Sequence, residues 1–225
     1  EIYNFTVDEN TPTDQEVSID PEMLGKVFEN TLADEERNQK GTFYTQREVV
    51  HFMVIDAIKQ YLQTETGISL KKLQMLIDDE QDKLDYLTPN QIRQIDKKLE
   101  DIKVLDPATG SAAFPVELMN VIIQLRKRLD VKVGRNINEV SLKKHLIKNS
   151  LYGVDVDPGA IEIAKLRLWL ALIVDYDKSL AEPLPNLDFQ FRVGNALQEK
   201  IDGIDIFNEQ IEGTQLSYLS GDQKA

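Results

Sequence analysis

Residues 102–115 read IKVLDPATGSAAFP, in which a short apolar run stops at Asp106 and Pro107 and a loop of small residues follows. A brief run of Ile, Val and Leu bounded by Asp-Pro is typical of a buried β-strand. The segment after the loop, from Phe114 to Leu125, has the apolar spacing of a helix. This stretch therefore predicts a strand, a tight loop and a helix.

The same succession recurs toward the C-terminus. Residues 151–158 read LYGVDVDP, a predicted strand that ends at Asp155, and a strongly apolar helix is predicted over 160–174. Residues 189–193 read FQFRV and predict a third strand, which runs into Gly194 and Asn195. Strands that alternate with helices predict a parallel, doubly wound α/β sheet with ligands at the carboxyl ends of its strands. Each predicted strand has a polar residue at that end: Asp106, Asp155 and Asn195.

The part before the first strand is predicted to be helical. Residues 1–19 are polar and indicate an arm or linker, and Asp20 with Pro21 starts a helix. Apolar spacing predicts a second helix over residues 49–62 and two charged helices over 69–101, where Thr88 and Pro89 begin the second member of an antiparallel hairpin. We therefore divide the chain into an arm (1–19), a helical region (20–101) and an α/β core (102–225).

Composition excludes several classes of protein. The 225 residues contain no cysteine, which excludes disulfide scaffolds and thiolate metal sites, and two histidines, His51 and His145, are too few for a metal cluster. The longest apolar stretch is interrupted by Arg167 and is too short to span a membrane. The net charge of −13 argues against a stand-alone nucleic-acid binder, although residues 1–40 hold eleven acidic and three basic side chains and so carry most of it. Since residue 1 is not Met, we expect a piece of a longer protein.

The strand ends favour a particular ligand. In dinucleotide enzymes the first loop receives a pyrophosphate, but here it opens with Asp106, whose carboxylate repels phosphate and attracts an ammonium group. Asp155, 49 positions later, is suited to accept hydrogen bonds from both ribose hydroxyls. With the amide of Asn195, these groups favour a nucleoside that carries a cationic amino-acid tail, such as S-adenosylmethionine. Asp106 and Asp155 are equally suited to cap the helices that follow them, so a structural interpretation stands beside this one.

Three ordered motifs resemble those of the gamma class of adenine-specific DNA methyltransferases. Residues 41–54, GTFYTQREVVHFMV, resemble the motif that precedes the others, residues 104–115, VLDPATGSAAFP, resemble the first motif, and residues 153–158, GVDVDP, resemble the second. The amino-acid sequence of these motifs is most similar to that of type IIG restriction–modification proteins, and related phage-defence methyltransferases are nearly as similar. The resemblance covers about residues 20 to 215. It implies a partial Rossmann-like S-adenosylmethionine-dependent methyltransferase fold, with a helical N-terminal region and a helical-hairpin insertion.

The resemblance also implies a role for each site residue. Thr45, beside Tyr44, is expected near the methionine carboxylate, and Asp106 is expected to meet the ammonium group. The backbone of residues 108–110 should line the same pocket, and Asp155 should hold the ribose hydroxyls. The implied cofactor-binding residues are Tyr44, Thr45, Asp106, Ala108, Thr109, Gly110, Asp155, Val156 against the adenine, and Asn195 with Ala196 at the adenine amino group. No metal is implied.

The chain departs from the family pattern in four places. Gln46 stands where Pro is usual, Asn195 where Asp is common, and Ala112 where a second Gly is frequent. The extra methyl group of Ala112 could narrow the loop, although a helix-start position with a negative φ would tolerate it. The fourth departure concerns catalysis: the family's Asn/Asp-Pro-Pro-Tyr/Phe motif follows the third strand, and no Pro-Pro pair occurs in these 225 residues.

These observations define the expected function. The resemblance implies the S-adenosylmethionine-binding part of a DNA N6-adenine methyltransferase, from a restriction–modification or phage-defence system of the prokaryotic cytoplasm. Its partner would be double-stranded DNA, bound through the intact parent protein, and no membrane is involved. Because the catalytic motif is absent, we assign no catalytic residue and expect this chain to be inactive alone. The alternative is a non-catalytic nucleotide- or dinucleotide-binding module, or a scaffold for DNA recognition.

Overall fold

The structure is a computed structural model of the chain. It describes residues 45–78, 84–134, 138–173 and 185–198, with shorter pieces at 24, 25, 27, 200–201 and 204–205. The predicted arm and most of the helix expected from Pro21 lie outside these residues, although Leu24, Gly25 and Val27 are helical. In the described part of the chain, no helix combines the length and the apolar character needed to cross a membrane.

The second predicted helix is confirmed as α1, Arg47–Thr66. Gly67 ends it in the left-handed conformation, at a φ of 69°, and donates its N–H to the carbonyl of Gln63 at 2.8 Å. Residues four positions apart share one face of a helix, and this face is buried. It is formed by Val50, Val54, Ile58 and Leu62.

The two predicted charged helices are also present, as α2, Leu70–Asp78, and α3, Pro89–Asp101. Thr88 caps α3 in a capping box: its side chain accepts from the N–H of Gln91, and the Gln91 side chain accepts from the N–H of Thr88. Both helices pack on α1. The apolar spacing that predicted them corresponds to their buried sides.

Three short strands form a parallel sheet, as predicted. They are β1, Val104–Asp106, β2, Leu151–Asp155, and β3, Phe191–Val193, and they lie side by side as β1-β2-β3. Helices α4, Ala113–Val133, and α5, Glu139–Asn149, connect β1 to β2, and α6, Pro158–Ile173, connects β2 to β3. All three connecting helices pack on the sheet. The carboxyl ends of all three strands therefore meet at one edge.

The third strand is shorter than predicted. Phe189 was expected to begin it, but this side chain is 73% exposed and lies in a turn. The carbonyl of Leu187 accepts from the N–H groups of Gln190 and Phe191, so the chain turns before it pairs with β2. The strand prediction was therefore wrong by two residues at its start.

The two faces of the sheet differ. Leu151, Gly153 and Phe191 alternate onto one face and are buried, whereas Leu105 on the opposite face is 60% exposed. Within the described strands, β1 pairs with β2 on one side only. A mainly apolar cavity of about 320 Å³ adjoins β1, and its walls include Met53, Ala57, Leu105, Phe114 and Tyr152.

Helices α2 and α3 are joined to the α/β part by two arginines of α4; the antiparallel pairing of these two helices as a hairpin stays a prediction. The Nε of the buried Arg126 donates to Asp96 of α3 at 2.9 Å, and Arg128 donates to the carbonyls of Leu76 and Ile77 at the end of α2. These side chains bind the three helices together. Residues 195–225 form a second compact unit, in which β4, Lys200–Ile201, pairs antiparallel with β5, Ile204–Asp205.

Candidate functional site

Asp106 lies at the carboxyl end of β1 with one oxygen bonded and one not. Its Oδ1 accepts from the N–H of Ala108 at 3.2 Å. Its Oδ2 is buried, and no described group donates to it. Burial raises the pKa of Asp106, the N–H of Ala108 opposes that effect, and the nearby charge of Asp155 adds to it. A carboxylate with one buried oxygen that lacks a hydrogen-bond donor is stabilised most by a cation with N–H donors.

The loop after β1 is attached to β2. The N–H of Thr109 donates to the carbonyl of Val154 at 2.9 Å, and the N–H of Gly110 donates to Asp155 Oδ2 at 2.8 Å. Gly110 has a φ of 51°, and no atom lies within 4 Å of the place where a Cβ would stand. The backbone at Gly110 therefore borders open space, where a ligand can approach it closely.

Ala112 does not have the negative φ at which its methyl group would be tolerated. The backbone of Ala112 has a φ of 65°, which lies in the left-handed region, and the residue is fully buried. Its N–H donates to the carbonyl of Thr109 at 2.8 Å, which closes the loop on itself. The closure of the loop therefore outweighs the preference of alanine for a negative φ, and the local sequence does not specify this turn.

Asp155 connects the loops that follow β1 and β2. Its Oδ2 accepts from Gly110, and its Oδ1 accepts from the N–H of Asp157 at 2.9 Å. Each carboxylate oxygen has two lone pairs, so both oxygens keep capacity for a further donor. Both the structural and the ligand-binding interpretations of Asp155 are therefore compatible with its geometry.

The neighbours of Asp155 have distinct roles. Val156 is 54% exposed beside it, available to pack against a flat ring. Asp157 is buried and accepts from the N–H of Gly159 at 2.8 Å, which caps the start of α6. Only the first of these two side chains is open to a ligand.

Close packing between β2, β3 and the loop depends on Gly153. A Cβ at this position would stand 2.6 Å from the ring of Phe191 and 2.9 Å from Cγ2 of Thr109. The absence of a side chain therefore lets Thr109 reach the sheet. Sequence reasoning quoted Gly153 within a motif but gave it no role.

The structure brings six of the ten predicted residues to one edge of the sheet: Asp106, Ala108, Thr109, Gly110, Asp155 and Val156. Thr45 is half-buried just before α1, and Tyr44 lies outside the described residues. Asn195 and Ala196 belong to the second unit, in which Asn195 Oδ1 accepts from the N–H of Leu197 at 2.9 Å. The cofactor-binding roles expected of all ten residues stay predictions.

Sequence reasoning missed one group beneath the loop. Arg167 of α6 is buried and donates from one guanidinium nitrogen to the carbonyl of Ser111 at 2.8 Å and to its hydroxyl at 3.0 Å. The available signal was that Arg167 is the one charged residue in the apolar stretch 166–173 of this helix.

Known proteins resemble this chain over most of its length. Residues 78–213 match the family described as MmeI, DNA-methyltransferase domain. A putative type II restriction enzyme and methyltransferase of Methanocaldococcus jannaschii is 30% identical over 97% of this chain and 19% of its own length. DNA methyltransferase A of Bacillus subtilis (strain 168) is 26% identical over 68% of this chain and 16% of its own length. The chain thus spans less than a fifth of the length of either curated relative.

Proposed function

Because the chain belongs to the MmeI DNA-methyltransferase domain family, we propose that it is the S-adenosylmethionine-binding part of a DNA N6-adenine methyltransferase. The names of its relatives support a restriction–modification enzyme that methylates DNA. Adenine as the target, and a Rossmann-like core around the three strands, rest on the order of the three sequence motifs. We expect the intact protein to act on double-stranded DNA in the prokaryotic cytoplasm.

The observation that carries the proposal is the buried, unbonded Oδ2 of Asp106. An ammonium group has three N–H donors and a full positive charge. It would therefore supply the hydrogen bonds that this oxygen received from water in the unfolded chain. A pyrophosphate would instead bring further negative charge to a carboxylate whose ionised form is already disfavoured. The site therefore favours the amino-acid end of S-adenosylmethionine over a dinucleotide.

The second group of contacts is at Asp155. Its two oxygens are held in place by backbone N–H groups and keep lone pairs for the ribose hydroxyls. The exposed Val156 side chain offers an apolar surface for the adenine. When bound, S-adenosylmethionine would supply an activated methyl group. The residues of this chain bind and orient it, and we extend that role to Tyr44, Thr45, Asn195 and Ala196 by resemblance.

We propose that this chain alone does not transfer the methyl group. The resemblance implies that the Asn/Asp and a Pro carbonyl of the Pro-Pro motif would accept hydrogen bonds from the target amino group, and that an aromatic residue would stack on the flipped base. The 225 residues contain no Pro-Pro pair, and no proline follows Pro185. Catalysis therefore requires residues that this sequence does not include.

Calorimetric titration of the 225-residue chain tests the proposal. We expect heat of binding with S-adenosylmethionine and none with NAD. Asp106→Asn keeps the size of the side chain but removes its charge, and it should weaken cofactor binding by about tenfold or more. Asp101→Asn, at the exposed end of α3, is the matched control and should leave binding unchanged. Tight binding of NAD without a response to S-adenosylmethionine would establish the dinucleotide-binding module instead.

A further inference from the structure

The loop between β1 and α4 has a conformation that its own sequence does not favour. Ala112 has a φ of 65°, in a region that costs a non-glycine residue conformational energy, and Gly110 is also left-handed. The sheet holds the first half of the loop through the N–H groups of Thr109 and Gly110. The second half, Ser111 and Ala112, needs a separate attachment to the body of the protein.

Arg167 provides that attachment. Its guanidinium lies inside the protein, with the residue 5% exposed, and Nη1 donates to both the carbonyl and the hydroxyl of Ser111. Ser111 itself is 3% exposed. Charge-assisted hydrogen bonds out of contact with water are stronger than neutral ones, so they resist movement of the Ser111 carbonyl. A buried guanidinium is costly to desolvate, and an apolar side chain would fill the same space on α6 at lower cost.

A third element covers this pair of hydrogen bonds. Gly25 is buried in the helical N-terminal segment, and a Cβ at this position would stand 2.7 Å from Nη1 of Arg167 and 2.7 Å from Oγ of Ser111. The backbone at Gly25 therefore lies directly on the contact. Since the end of the Arg167 side chain is fixed by its bonds to Ser111, it cannot move aside without breaking them.

We propose that Arg167 is a positioning residue for the cofactor loop. Through Ser111 it holds residues 106–112 in the shape that presents the Asp106 carboxylate and the Gly110 backbone to the ligand, and Gly25 seals the contact. The inference rests on the proposed function for the identity of the ligand. The effect on the shape of the loop is independent of that identity.

Two buried arginines of the same chain allow a matched comparison. Arg167→Met removes the bonds to Ser111, and Arg126→Met removes a comparably buried guanidinium that binds Asp96 instead. Both variants should lose thermal stability. At a temperature where circular dichroism shows both to be folded, Arg167→Met should bind S-adenosylmethionine about tenfold more weakly, and Arg126→Met should bind it as the parent does. Arg167→Lys, which keeps a donor with a different reach, should recover part of the affinity.

Amide hydrogen exchange reports on the loop without a ligand. In Arg167→Met the amides of Gly110 and Ala112 should exchange faster than in the parent, and in Arg126→Met they should not. Gly25→Ala and Ser111→Ala should accelerate the same amides, and they replace Arg167→Met if that variant does not fold. Unchanged exchange and unchanged affinity in the folded variants would overturn the positioning role. A parent chain that binds no S-adenosylmethionine would overturn the proposed function alone, because the exchange result would still stand.

Discussion

We propose two roles for the Asp155 side chain, because its oxygens accept hydrogen bonds from two backbone N–H groups and keep lone pairs for a diol. We predict that Asp155→Ala weakens S-adenosylmethionine binding by about one to two orders of magnitude, or about 1.5–3 kcal/mol, and also lowers the melting temperature. Calorimetry and thermal denaturation measure the two effects. Asp157→Ala is the control: it should lose about 1 kcal/mol of stability through the cap of α6 and keep its affinity. Equal affinity of Asp155→Ala and the parent would reduce Asp155 to a structural cap.

The raised pKa of Asp106 predicts a pH dependence with a definite sign. Ionised Asp106 is the form that pairs with an ammonium group, so cofactor affinity should fall as the pH decreases through this pKa. Because burial raises the pKa above its usual value, the loss should begin at a higher pH than for an ordinary aspartate. Titrations over a series of pH values measure it, and Asp106→Asn should remove that part of the dependence.

The raised pKa of Asp106 affects the stability of the fold with the opposite dependence on pH. An acid whose pKa is raised in the folded state destabilises the cofactor-free protein once the pH is above that pKa, and this cost disappears as the pH falls through it. Asp106→Asn should therefore melt at a higher temperature than the parent near neutral pH, although it binds the cofactor less well. A lower melting temperature would mean that the ionised carboxylate stabilises the fold.

At the scale of the elements, the stability of α3 depends on the capping of its first turn. We predict that Thr88→Ala, which removes the hydroxyl half of the capping box, lowers the free energy of unfolding by about 1 kcal/mol. Urea denaturation measures this change. Thr64→Ala, at an exposed position inside α1, is the comparison and should not be destabilising, because alanine favours a helix. Equal losses in both variants would show that the cap contributes nothing specific.

The elements themselves were largely predictable, because long apolar periodicity marks helices and short apolar runs mark buried strands. The meeting of Asp106 and Asp155 was predictable too, since the carboxyl ends of parallel strands share one edge. The start of β3 was not, because the turn after Leu187 removes Phe189 from the sheet. β4 and β5 have two residues each, too few for any periodicity to appear.

The contact of Arg167 was missed because it joins distant parts of the chain. Ser111 and Arg167 are 56 positions apart, and nothing in the local sequence of either residue indicates the other. The φ of Ala112 follows from the closure of the loop, which a reading of helix-start preferences cannot foresee. The local sequence pattern therefore predicts the helices and strands, whereas the shape of the loop between β1 and α4 depends on contacts that the pattern does not reveal.

At the scale of the whole molecule, we predict that the 225-residue chain binds cofactor without methylating DNA. Incubation with adenine-rich duplex DNA and methyl-labelled S-adenosylmethionine should leave the DNA unlabelled even at high protein concentration, because no Pro-Pro motif is present to hold a flipped adenine. A longer version of the protein that includes this motif should label the DNA. Label transferred by the short chain would require catalysis by residues that we assign to binding.

Within the described strands, β1 is paired on one side only, and this has a consequence for the behaviour of the chain in solution. A strand edge with which no described strand pairs, next to an exposed Leu105, is a surface on which another strand can pair. The net charge of −13 opposes such encounters, because every copy repels every other at low ionic strength. Salt shortens the range of this repulsion to about 8 Å at physiological concentration. Light scattering should therefore detect self-association that grows with added salt, whereas contacts based on ion pairs would weaken under the same treatment.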